Sequence, residues 1–104
     1  MVDLPIRDKL KVILVDLDGI LCDGEMWTSD DCLNAKPIKK NIEKVNKLYM
    51  NNFVVIYTAR RDHLILSTIK WLRKNNVRFH CISNNKTPAD LYIDDKCVKI
   101  EDIK

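Results

Sequence analysis

The run KVILVD (residues 11–16) constrains this chain more than any other stretch of it. Apolar, largely β-branched and without polar alternation, it has the pattern of a strand covered on both faces, as in a parallel sheet with helices packed on it. The run ends on a carboxylate and continues Leu17-Asp18-Gly19. Alternation along an extended chain sends Asp16 and Asp18 to the same side. NFVVIYT (residues 52–58) repeats the pattern, VRFHCIS (77–83) reads as a shorter third strand, and DLYID (90–94) as a fourth.

Helices are expected between the earlier strands. Pro37, at a plausible first turn, opens a segment in which Ile38, Ile42, Val45, Leu48 and Tyr49 form one apolar stripe and most of the lysines fall outside it. That helix should stop near Asn51 and Asn52. A second should start near Asp62 and put Ile65, Ile69 and Leu72 on one side, with Leu64, Thr68 and Trp71 flanking them, before Asn75 and Asn76 end it. The order β, long loop, α, β, α, β, β predicts an α/β fold: a small Rossmann-like parallel sheet with right-handed crossovers. Ligands of such sheets bind outside the carboxyl ends of the strands. The one long connection, residues 19–36, leaves the first of those ends.

At 104 residues, 46% hydrophobic and 32% charged, the composition is that of an ordinary globular chain, with room for one domain spanning residues 1–104. A core of that size leaves no second module to close over a ligand, so an open site is expected. The net charge of +3 is too mild for a dedicated nucleic-acid binder but compatible with a phosphate-bearing ligand. With Gly19 and Gly24 as the only glycines, neither a P-loop nor a dinucleotide fingerprint can be built.

Cys22, Cys32, Cys81 and Cys97 make no CxxC pair. A Cys22–Cys32 loop staple or metal pair is conceivable, but no histidine stands at ligand spacing, and a reduced protein is the expectation. Residues 1–11 mix acids with bases and lack the apolar stretch of a secretion leader, and no run approaches the ~20 apolar residues that span a bilayer. A cytoplasmic protein without membrane contact is therefore expected.

The chemistry gathers at the strand ends. The first strand ends with Asp16 and Asp18 and the fourth with Asp94 and Asp95, so the sheet should bring four carboxylates to one edge. The Asp16 and Asp18 pair taken alone fits a turn cap beside a solvated acid. Four together repel unless a hard, oxygen-seeking ion such as Mg²⁺ offsets them. Thr58 ends the second strand, where its hydroxyl and the following backbone N–H groups can hold a phosphate oxygen, and Lys86, in the loop before the fourth strand, can add a positive charge.

VILVDLDGIL, VVIYTAR, Lys86 and LYIDD, in that order across residues 12–95, resemble the four motifs of the haloacid dehalogenase-like phosphohydrolase superfamily. The resemblance implies a magnesium-dependent phosphatase. Asp16 would be the nucleophile and Asp18 the general acid and base, with Thr58 and Lys86 holding the phosphate and Ala59 and Arg60 beside it. Mg²⁺ would bind Asp16, Asp94, Asp95 and the backbone carbonyl of Asp18. Ile20 departs from the residue that often follows DxDG. At this size there is no room for the inserted cap domain of many relatives, so the chain resembles a capless member. The loop at residues 21–36, a neighbouring subunit in a homo-oligomer, or a large substrate would then have to exclude water.

NAKP, YTAR and YIDDK are most similar to short phosphatases of capsule and surface-sugar biosynthesis, which implies a phosphosugar or similar small metabolite. YTARRDHLILSTIKWLRKNNV also resembles polynucleotide kinase-phosphatases, which act on a phosphorylated nucleic-acid end, and Arg60, Arg61, Lys70, Arg73 and Lys74 would suit either substrate. A phospho-accepting receiver domain has a comparable acidic pocket, but its acceptor aspartate lies on a middle strand, where this chain has Thr58. A non-catalytic module binding phosphate and Mg²⁺ is the remaining alternative. Trp71 is expected to pack inside, His63 to lie at a helix start, His80 on a strand, and Cys22 to play an apolar part.

Overall fold

In the computed structural model, which describes residues 11–24, 28–85 and 88–94, the apolar runs pair as a parallel sheet. Strand β1 (Val12–Asp16) is followed by a two-residue ribbon strand β2 (Cys22–Asp23), helix α1 (Ser29–Leu33), its ribbon partner β3 (Lys36–Pro37) and helix α2 (Lys39–Tyr49). Strand β4 (Phe53–Tyr57), a 3₁₀ turn (Asp62–Leu64), helix α3 (Ile65–Lys74), β5 (Cys81–Ser83) and β6 (Leu91–Ile93) complete the described elements. The main sheet has four strands in the order β5-β4-β1-β6, all parallel. This is an α/β arrangement of a parallel sheet flanked by helices, consistent with a Rossmann-like fold.

Burial follows the β-branched runs. Ile13, Val15, Val54, Ile56 and Ile93 join Ile42 and Val45 of α2 and Trp71 and Leu72 of α3 in one core cluster. Leu14 and Val55 alternate to the opposite face and are buried too, as an unalternating strand sequence requires. No helix of the described residues is long and apolar enough to cross a membrane.

Several elements differ from their sequence expectation. The third strand is confined to Cys81–Ser83, because Asn76 takes a left-handed conformation (φ 57°). The Asn76 and Val77 amides donate to the Arg73 and Leu72 carbonyls, the paired bonds of a Schellman cap, and the following residues are spent on the turn. Pro37 lies in β3, one residue before the N-cap of α2. The connection at 19–36 is not a plain loop: Thr28 and Asp31 form a capping box that starts α1, and β2 pairs antiparallel with β3.

On α3 the buried face is rotated from the expected one. Thr68, Trp71 and Leu72 are buried, while Ile65 and Ile69 are only half-buried. Polar partners decide this. The Trp71 indole N–H donates to the Ala35 carbonyl at 2.8 Å, and the Thr68 hydroxyl both accepts from Arg60 and donates to the Leu64 carbonyl, each at 2.8 Å. A tryptophan or threonine can be enclosed at low cost only where its polar atom has such a partner.

Candidate functional site

Asp16 is the last residue of β1 and is half-buried. Val15 pairs with Ile93 across β1 and β6, so the next residues along these parallel strands, Asp16 and Asp94, stand level at the carboxyl end of the sheet. Asp94 is only 8% exposed. On the other side of β1 the Leu17 amide donates to the Tyr57 carbonyl at 2.9 Å and the Thr58 amide to the Ser83 carbonyl at 2.9 Å, which brings Thr58 to the same edge.

The backbone after Asp16 is held in a tight turn. Gly19 has φ 91°, a conformation that a Cβ would oppose, and its amide donates to the Cys22 carbonyl at 2.9 Å. Leu21 donates back to the Leu17 carbonyl at 2.9 Å. From outside, the buried Asn41 side chain donates to the Ile20 carbonyl at 2.7 Å and the Ile38 amide to the Leu21 carbonyl at 2.9 Å, so the start of α2 braces the turn that carries Asp18.

Asp18 is paired with a buried arginine. Its carboxylate is gripped by Arg60, Nη2 to Oδ1 at 2.7 Å and Nε to Oδ2 at 3.2 Å. The same guanidinium donates from Nη1 to the Thr68 hydroxyl at 2.8 Å and from Nη2 to Cys22 Sγ at 3.4 Å. Arg60 is 7% exposed. Burial alone would favour the neutral guanidine, but the hydrogen bonds and charge of Asp18 outweigh it and hold Arg60 more firmly protonated than usual. Arg60, expected beside the phosphate, directs its charge onto Asp18.

Thr58 is fully enclosed, and its hydroxyl oxygen accepts the Arg60 backbone N–H at 3.0 Å. Ala59, between them, is exposed. Lys86 and Asp95 lie outside the described residues. The strand register sets Asp16 and Asp94 level, and the Asp18 side chain is paired with Arg60. Among the described residues no group of three or more His, Cys, Asp or Glu side chains is set to hold a metal. What Asp16 and Asp94 offer is carboxylate oxygen, the donor type of a hard divalent cation.

Cys22 is the participant that the sequence did not reveal. Its thiol is fully buried, 3.5 Å from Asp18 Oδ1, and burial, followed by the Asp18 charge, pushes it up to about 12. Cys22 and Cys32 are both free thiols, so no loop staple forms between them. The one sequence signal that could have flagged this network is the polar Thr68 on an otherwise apolar helix flank, four residues after Leu64.

A hollow of about 220 Å³ opens beside the end of β5, lined by Ile65, Ile82, Ser83 and Asn84. A larger one, about 400 Å³, lies between α2 and the end of α3 and includes none of the strand-end residues. His63 is exposed on the 3₁₀ turn, and His80 is stacked between Tyr49 and Phe53, away from the strand ends.

No family model, no curated protein and no solved structure matches the chain significantly.

Proposed function

We propose that the chain is a capless haloacid dehalogenase-like phosphohydrolase, a magnesium-dependent phosphomonoesterase acting on a phosphosugar or similar small metabolite. The observation that carries this reading is the level pairing of Asp16 and Asp94 at the carboxyl edge of a parallel sheet, two residues before an Asp18 held in a glycine turn.

In the proposed reaction an Asp16 carboxylate oxygen bonds to phosphorus as the bond to the leaving oxygen breaks, and that oxygen takes a proton from Asp18. Water then attacks the aspartyl-phosphate, Asp18 accepts its proton, and the Asp16–phosphorus bond breaks to free phosphate. Mg²⁺, held by Asp16, Asp94 and the Asp18 carbonyl, with Asp95 as a further acid, would neutralise charge on the transferring group. Lys86 would add to that neutralisation, and Ala59, an exposed residue just beyond the end of β4, would offer its backbone N–H to an incoming phosphate. Because Thr58 is enclosed, its hydroxyl reaches a ligand only if the neighbouring chain yields.

The test is phosphate release from an aryl phosphate, sugar phosphates, nucleotides and 3′-phosphorylated oligonucleotides, with Mg²⁺ or EDTA, by wild type and Asp16→Asn. Turnover on sugar phosphates that needs Mg²⁺ and is lost in the variant supports the proposal. Preference for oligonucleotide ends moves the substrate to nucleic acid. Folded protein that binds Mg²⁺ but turns over nothing sinks the enzymatic reading in favour of a binding module.

A further inference from the structure

The four hydrogen bonds of the Arg60 guanidinium all run to one corner of the site. Two form a planar fork on the Asp18 carboxylate, a geometry that fixes both direction and rotation of the acceptor in a way that a lysine ammonium cannot. The fork is itself anchored. Nη1 is tied to Thr68, which is tied to the Leu64 carbonyl at the start of α3, and the backbone N–H of Arg60 is tied to the Thr58 hydroxyl. Arg60 thus joins the end of β4, the start of α3 and the turn after β1.

Exposure is asymmetric across the pair: the Arg60 side chain is 3% exposed and that of Asp18 37%. The carboxylate therefore presents one side to the strand-end surface while its other side is fixed from within. Cys22 completes the enclosure, its sulfur touching both Asp18 Oδ1 and Arg60 Nη2. A carboxyl group that has to meet a leaving oxygen in one step and a water in the next needs its orientation held to a fraction of an ångström.

We propose that Arg60 is a positioning residue that aims the Asp18 carboxylate at the phosphoryl site, through a guanidinium fork anchored on Thr68, and is not a ligand of the substrate phosphate. This rests on the phosphatase reading above. Loss of the fork acts on turnover: kcat falls by about 10- to 100-fold, the scale of an ångström-sized misplacement, while KM stays within about threefold.

The experiment measures kcat and KM for wild type, Arg60→Lys, Thr68→Val, Asp18→Asn and Arg60→Lys/Asp18→Asn on the best substrate found, with thermal melts on each. Expected are a kcat loss in Arg60→Lys, a smaller loss in Thr68→Val, and no further loss when Arg60→Lys is added to Asp18→Asn. Thr68→Val keeps both charges and tests the anchor should Arg60→Lys fold poorly. A raised KM at unchanged kcat in Arg60→Lys would make Arg60 a substrate ligand and overturn the proposal. So would a full additional loss in the Asp18→Asn background, which marks a purely structural role. Either result leaves the phosphatase reading standing if wild type turns over and Asp16→Asn does not. Absence of wild-type turnover overturns that reading and this proposal with it.

Discussion

Arg60 and Asp18, separated by 42 residues in sequence, form a two-point ion pair at 2.7 and 3.2 Å whose cation is buried and whose anion is partly open. Removing one partner of such a pair leaves the other charge enclosed, which costs several kcal/mol when both are buried and less when solvent reaches one of them. Asp18→Ala is expected to destabilise the fold by about 1–3 kcal/mol in urea denaturation. Replacing both residues, as Asp18→Ala/Arg60→Met, should recover part of that loss, because no uncompensated guanidinium remains. Equal or greater destabilisation in the double variant would show that the pair is not what holds this corner.

Magnesium should stabilise the chain through the strand-end acids. A ligand that binds only the folded state at 100 times its Kd adds about 2.7 kcal/mol. A rise in Tm with added Mg²⁺, absent in both Asp16→Asn and Asp94→Asn, is the expected result. An undiminished rise in either variant would move the metal away from these two strands.

The cysteines should differ sharply in reactivity. Cys22 and Cys32 are buried and Cys81 is exposed on edge strand β5, so iodoacetamide at pH 8 should label Cys81 and spare the other two in peptide mapping of folded protein. Because the folded Cys22 thiol is raised from 9.0 to about 12, it is neutral in both states below about pH 9 and contributes no pH dependence there. Above that the unfolded chain ionises first, so this contribution to stability is lost as pH climbs toward 12. Cys22→Ala should flatten the alkaline part of the stability curve relative to wild type.

His80 clasps the amino end of the sheet to α2. Its ring stacks between Tyr49 and Phe53, with centroids 4.3 and 4.6 Å away, and its Nδ1 accepts the Val54 amide at 2.9 Å. The site chemistry uses none of this. His80→Ala should therefore cost about 1–2 kcal/mol in denaturant unfolding while leaving turnover unchanged.

Four strands, the helices over residues 39–49 and 65–74 and the edge to which Asp16, Thr58 and Asp94 belong were all legible in the sequence. The reason is local: an unalternating β-branched run can be satisfied only in a sheet covered on both faces, and parallel strands send their carboxyl ends to one side. The partnership of Arg60 with Asp18, the enclosure of Cys22 and Thr58 and the rotated face of α3 were not legible. These depend on which polar atoms find partners once the elements pack. An arginine two residues beyond a strand reads as a surface charge until a threonine on the next helix and an aspartate 42 residues earlier turn it inward. Periodicity reports which residues avoid water; only the assembled structure decides how the polar groups among them are satisfied.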